Sequence, residues 1–362
     1  MDFTFTEDEL AFREAISRFL MTEAAPETLR EIWETDSGRS PELRSKIAEQ
    51  GLTALSVPEE AGGLGLGDVA WSLMTQELGY YGIPDSMADS AYVATGLLSA
   101  LPAGEKRDAW LEQVAAGELR IAVGHGCNSL VADAQSADLL LLHHTNHNGD
   151  IELHAIERAL VDVTPHSSID SSRRLARISW QPTDDSLVVS GDDAEVLLAE
   201  TLNRGALSVA GQLLGLAQRM LDLSVDYVAQ RKQFGRAIGS FQAVKHHLAD
   251  VAAKIEFARP VLYRAAWALQ KQTPDAELYV SQAKLACIDA AALAARHGIQ
   301  VHGAMGYTWE VDLQMFMKRS WALIPSWGDR SFHQARVNDN LFSRVAADNQ
   351  SAGPESTFGR QI

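Results

Sequence analysis

The chain has 362 residues, 46% hydrophobic and 22% charged, with 31 Lys and Arg against 48 Asp and Glu and a formal net charge of -17. That balance excludes a disordered polymer and argues against nucleic-acid binding, which depends on a basic surface. Two cysteines, Cys127 and Cys287, are too few and too far apart for a disulfide framework or a zinc site. The first residues lack a basic n-region, and no stretch approaches the ~20 uninterrupted apolar residues of a membrane span, so a soluble, cytoplasmic protein is expected.

Taken in order, the chain opens with a capping box, Thr6 with Glu9, followed by Leu10, Phe12, Ala15, Ile16 and Phe19 at helical spacing. Ser40 before Pro41 sets a capping hydroxyl ahead of an N1 proline, and Gly51 closes that second helix. The run VPEEAGGLGLG lacks the Lys-Ser/Thr of a phosphate loop and does not follow a strand of a βαβ unit. It reads as a turn between helices. Helical patterns continue over 68–80, 85–101 and 105–116, which makes residues 1–118 an all-α N-terminal domain.

From 119 to 198 the texture changes to short apolar runs, LRIAVG, ADLLLLHHT, DIELHAI and DSLVVSG, separated by turn residues: a small middle β domain. His143, His144, His147 and His154 lie here without a carboxylate or cysteine at metal-ligand spacing, so they read as ordinary loop and strand-end histidines. From 199 to 362 the helical period returns as a bundle of long helices. One ends at Gln230. A second starts at Phe241 and buries a seam through Val244, Leu248, Val251, Ile255, Ala258, Leu262, Ala265 and Leu269; Pro260 should kink or loosen it. A third starts at Thr273-Pro274-Asp275 and runs to about Gly298. The fold class is mainly α with a small β domain.

The chemistry concentrates in YVAQRKQFGRAIGSFQ, residues 227–242. Arg231, Lys232 and Arg236 form a positive patch on an acidic chain. Guanidinium forks match phosphate oxygens, and Phe234 and Phe241 offer apolar faces to a nucleoside, so a dinucleotide pyrophosphate suits the patch. A solvated loop with its arginines paired to acids is the plainer reading. Further on, IQVHGAMGYTWE carries glycines at 303 and 306 that permit close backbone approach to a ligand.

RKQFGRxIxxFQ closely resembles the flavin-binding turn of the acyl-CoA dehydrogenases, VPEEAGGLGLG their PEEyGGlGl turn, and IQVHGAMGYTWE their QxxGGxGY segment, in the family's order. The resemblance covers both helical domains well and the β domain poorly. It implies the family's helical, β and helical-bundle domains, FAD as cofactor, an acyl-CoA substrate and an electron-transfer flavoprotein as acceptor. It further implies that Arg231, Phe234, Phe241, Gln242, Gln300 and Gly303 hold the ADP side of a flavin shared across a subunit interface.

The departures are as informative. AVGHGCNSLVADAQSAD stands where the family has a TEPxxGSD-like loop, and no GxKxWIT-like strand follows. Ser326-Trp327-Gly328-Asp329 stands for the YEGT-like tetrad, which puts Trp327 where the family's catalytic base belongs, and the alternative base position reads Asn203-Arg204-Gly205-Ala206. Indole cannot take a proton, and loss of a general base costs ~10² to 10⁴ in rate. Catalytic residues are therefore expected to be absent. The residues kept and lost divide as the two sides of the family's interface do. This resembles the non-catalytic subunit of heteromeric acyl-CoA dehydrogenases of steroid degradation, which pairs with a catalytic subunit in an α2β2 heterotetramer. The expected function is α,β-desaturation of an acyl-CoA, possible only with that partner. Two other readings stay open: a self-sufficient homo-oligomer using Asp329 or Glu200 as a displaced base, and a non-catalytic scaffold.

Overall fold

The structure, a computed structural model, describes residues 3–84 and 86–348. α1 (Glu7–Glu23) starts at the expected capping box, where the Thr6 hydroxyl accepts from the Glu9 amide at 3.2 Å and Glu9 Oε2 accepts from the Thr6 amide at 2.8 Å. α2 (Pro26–Glu34) and α3 (Pro41–Glu49) both open on proline, and the Ser40 hydroxyl accepts from the Leu43 amide at 3.1 Å. VPEEAGGLGLG forms turns, held so tightly that a Cβ on Gly63 would lie 1.9 Å from the Val57 carbonyl oxygen. α4 (Asp68–Tyr80) follows. The helix expected over 85–101 comes in three pieces: α5 (Ser86–Ala88), a π-helical stretch Asp89–Ala94, and α6 (Thr95–Ala100); Asp85 lies outside the described residues. α7 (Glu105–Ala115) ends the N-terminal helices.

The β region contains β1 (Ile121–Val123), β2 (Val131–Ala132), β3 (Leu139–Thr145), β4 (Ile151–Glu157), β5 (Asp162–His166), β6 (Leu175–Ser179) and β7 (Leu187–Ser190). They form two sheets, β1-β3-β4-β7 and β2-β6-β5. β1 runs parallel to β3, and β3 pairs antiparallel with β4 from Leu139 opposite Glu157 to Thr145 opposite Ile151. The unbroken Leu139–Leu142 run is buried on both faces. Leu139 and Leu141 join the main helical core, and Leu140 and Leu142 join a smaller core shared with the second sheet.

α8 (Asp192–Gln230) begins seven residues before the expected start of the C-terminal bundle at 199. Gly191, at φ 69°, makes the corner, and Asp192, Asp193 and Glu195 complement the dipole of the first turn, so the helix starts as soon as β7 ends. After a short hairpin, β8 (Lys232–Gln233) and β9 (Arg236–Ala237), come α9 (Gln242–Gln270), α10 (Ala276–His302), α11 (Leu313–Leu323) and α12 (Arg330–Asp348). α9 continues through Pro260, which sits on its exposed side, and buries the expected seam from Val251 to Leu269. α10 passes Gly298 and ends at His302. Its composition would allow it to cross a bilayer, yet 61% of that apolar window is buried inside the fold.

α8 is the axis of the molecule, packed against α4, α9 and α10. Its contact with α4 uses almost no side-chain layer. A Cβ on Gly79 would lie 2.1 Å from the Gln212 carbonyl oxygen, one on Gly215 1.9 Å from that of Gln76, and one on Gly211 2.0 Å from Thr75 Oγ1. Gly211 and Gly215 are four residues apart and share one face. Gly215→Ala should destabilise the fold by about 1 to 3 kcal/mol through overpacking, read as a lowered urea midpoint at unchanged slope.

Candidate functional site

The basic turn folds as a two-residue hairpin. Lys232 pairs with Ala237 and Gln233 with Arg236, and the loop residues Phe234 and Gly235 both have positive φ, 52° and 79°. That turn matches the right-handed twist of two strands but normally takes Asn or Gly, so Phe234 is unusual there. Its ring is 91% exposed. Arg231, Lys232 and Arg236 are also exposed, and among the described residues no carboxylate pairs with them, so the loop of arginine–acid pairs is not what forms. Arg236 lies over the Phe241 ring at 4.1 Å and Phe234 meets it edge-on at 6.1 Å. One face of Phe241 is thus taken by a guanidinium and not left open to a nucleoside.

The start of α9 and the end of α10 meet at this same end of the bundle. His297 Nδ1 lies 2.8 Å from the His247 carbonyl oxygen, and the Tyr227 ring stacks on His302 at 4.2 Å. This brings Gln242, at the start of α9, and Gln300, in the last turn of α10, to the end that carries the hairpin; both are exposed. Gly303 has φ 61° with open space where a Cβ would stand, as an approach by a ligand requires. Gly306 differs from the expectation: it is buried, and a Cβ there would press on His302 Cβ at 3.2 Å, so its role is to close the turn onto α10. Tyr307 and Trp309 add exposed rings, with Lys318 Nζ 4.0 Å from the Trp309 centroid. The result is an open surface of cations, aromatic rings and amides.

Trp327 belongs to a second place, between the β region and the bundle. It adopts φ 55° beside Gly328 at 91°, and its side chain is only 2% exposed. Four hydrogen bonds fix it. Its amide donates to Asn128 Oδ1 at 2.7 Å, its Nε1 to Asp89 Oδ1 at 3.1 Å, His333 Nε2 donates to its carbonyl at 2.9 Å, and Lys284 Nζ donates to the preceding Ser326 carbonyl at 2.6 Å. The indole presses on Gly205 of α8, where a Cβ would fall 2.1 Å from Cδ2, and lies 5.6 Å from the His125 ring. It walls an open cleft of about 580 Å³ with Val123, Cys127, Ser168, Arg173 and Phe332.

Burial dominates the electrostatics around the indole. It pushes His125 and His333 down to about 4, Lys284 down to about 7 and the Cys127 thiol up to about 11. The Cys127 amide donates to His125 Nδ1 at 3.1 Å, and His125 Nε2 donates to the Leu198 carbonyl at 3.2 Å, so both ring nitrogens are engaged in local structure. Of the acids weighed as displaced bases, Asp329 is exposed and accepts from the Phe332 amide at 2.8 Å, capping α12, while Glu200 bonds Arg204 at 3.2 Å. Asp89, Asn128, Lys284 and His333 escaped the sequence reading. Only the π-helical stretch that presents Asp89 is a local feature of the kind that accompanies functional sites, and its sequence carries no π signature. The histidines of the β region scatter: His143 faces His125 at 5.9 Å, buried His154 bonds Ser186 Oγ at 2.9 Å, and His147 is exposed on a turn.

Residues 6–118 match the family profile described as acyl-CoA dehydrogenase, N-terminal domain, and residues 196–329 that described as acyl-CoA dehydrogenase, C-terminal domain. The acyl-CoA dehydrogenase IpdE2 of Mycobacterium tuberculosis is 33% identical over 325 residues, covering 87% of this chain and 91% of that protein. Among solved structures, the Tcur3481-Tcur3483 steroid ACAD superposes with a TM-score of 0.85 at 22% identity, covering 94% of this chain and 99% of that one. A chain of the ChsE4-ChsE5 complex from Mycobacterium tuberculosis gives 0.82 at 22% identity, covering 97% and 100%. On both profiles and on a relative that spans nearly the whole chain, the protein belongs to the acyl-CoA dehydrogenase family, whose members are flavin-dependent oxidoreductases acting on acyl-CoA.

Proposed function

We propose that this chain is the non-catalytic subunit of a heteromeric acyl-CoA dehydrogenase, lending the ADP-side half of an FAD site to a catalytic partner in an α2β2 assembly. The observation that carries the reading is the buried Trp327 indole, hydrogen-bonded to Asp89 and packed on Gly205 where the family resemblance puts the base. Measured against a flavin, the two places differ. The bundle end fits the dinucleotide half: unpaired cations, exposed amides and the open Gly303 backbone suit a pyrophosphate and its ribose. The cleft does not fit the ring half, because the buried indole walls it where the base would stand and burial holds the neighbouring His125 and His333 in their neutral forms.

FAD, when bound, supplies the hydride acceptor for desaturation. Arg231 would bind the pyrophosphate through charge-assisted hydrogen bonds, Gln242 and Gln300 would orient the nucleotide, and Phe234 would cover an apolar face of it. The partner would contribute the base, the ring contacts and the acyl-CoA. Fold likeness to a steroid ACAD supports a bulky, steroid-type acyl group, and an electron-transfer flavoprotein is the acceptor consistent with the family. The cytoplasm is the proposed compartment.

Asp89 favours one other reading, a self-sufficient enzyme, since its carboxylate lines the cleft. The two readings separate on flavin content. The purified chain alone should hold little FAD, and the heteromer about one per pair of chains by flavin absorbance; stoichiometric flavin in the lone chain would refute the sharing. Arg231→Ala should weaken FAD retention in the complex by roughly ten- to a hundredfold, from one lost charge-assisted hydrogen bond, read after dialysis.

Trp327→Ala should cost the subunit about 3 to 5 kcal/mol of stability, yet leave turnover per bound flavin unchanged in any complex that assembles. Asp89→Asn should likewise preserve turnover per flavin, and its loss would favour the self-sufficient enzyme. Trp327→Glu should create no second active site; a doubling of sites would overturn the assignment.

A further inference from the structure

A separate cavity of about 80 Å³ lies between α2, α3, the start of α5, β1 and the turn after β2, away from both places described above. One side of it is apolar, with Leu29, Ile47, Ile83, Met87, Ile121 and Ala137 buried. The apolar part of this lining lacks packing partners on one side, so an apolar group that enters gains contacts the fold itself does not make.

The polar groups around it are unequal. Three arginines line it. Arg39 forms a bidentate pair with Asp133 at 2.6 Å, and Arg120 pairs with Asp138 at 3.2 Å. Arg44 donates instead to two carbonyl oxygens, Gly117 at 3.2 Å and Leu119 at 3.0 Å, through Nε and Nη2, and has no carboxylate partner among the described residues. Burial, and then the charge of Arg120, push its guanidinium down to about 10, against the opposing pull of Asp138 and Asp133, the carboxylates that bond the other two arginines. Trp33 also lines the cavity, and its buried Nε1 has no hydrogen-bond partner among the described residues.

We propose that this cavity is a binding site for a short-chain to medium-chain aliphatic carboxylate, its tail between α2, α3 and Met87 and its head on Arg44. The charge argument selects the head group. An alcohol or a neutral ester would leave Arg44 with carbonyl oxygens alone as direct partners, whereas a carboxylate supplies a charge-assisted hydrogen bond. The volume selects the tail: a few methylenes fit and a long chain does not.

The test is calorimetric titration of the full chain with butyrate, hexanoate, octanoate and dodecanoate, with octan-1-ol as the uncharged control. Saturable binding should appear by hexanoate, and dodecanoate should bind no tighter than octanoate. Leu43→Phe and Met87→Phe, two independent fillings of the space, should each weaken octanoate at least about tenfold while far-UV circular dichroism stays native. Arg44→Met should weaken octanoate by a similar factor and leave octanol unchanged. No saturable binding to the unaltered chain below about 1 mM overturns the proposal, as does full affinity in a folded filled variant. Equal loss of octanoate and octanol in Arg44→Met overturns the assignment of the head group.

Discussion

The contact between the Trp327 indole and Gly205 governs the character of the cleft. A bulky residue with φ near 55° is held away from its preferred backbone region, and such a conformation persists only where surroundings over-determine it. Here Asn128, Asp89, His333 and Lys284 do so from four different parts of the chain. Any side chain at 205 would collide with the ring, so α8 must present hydrogen there for the turn 325–328 to close. Once the ring is in place, the groups around it are dehydrated, and His125, His333 and Cys127 all shift toward their neutral forms. Packing and loss of acid–base capacity are one event.

The bundle end shows the reverse economy. Its cations stand in water on a chain of net charge -17, with Arg236 and Lys318 lying over the rings of Phe241 and Trp309. Water-exposed groups of this kind contribute little to folding. A surface that combines unpaired guanidinium groups with a nine-tenths exposed phenylalanine on a strained turn is consistent with binding at an interface.

Local signals made much of the fold legible. Thr6 with Glu9, Ser40 before Pro41, and the limits of α4 and α8's end at Gln230 are set within a few residues, and the α9 seam declares its own period. The start of α8 was hidden because DSLVVSGDDAEVLL holds apolar residues that serve a strand and then a helix, and the change is marked by the positive φ at Gly191 and the acidic first turn rather than by any break in hydrophobicity. Gly306 was misread because a glycine that admits a ligand and one that admits a helix end look alike in sequence. The surroundings of Trp327 were illegible for a different reason. Asn128 and Asp89 stand 199 and 238 residues away from it, and no periodicity reports a contact of that separation. The family resemblance located Trp327 through Gly328, without any of its partners.

The glycine seam between α4 and α8 has a mechanical consequence. Packed helices slide by small adjustments of the side chains between them, and where backbone meets backbone through Gly79 and Gly215 that lubricating layer is missing. The two helices are therefore geared together, and a displacement of either is transmitted whole to the other.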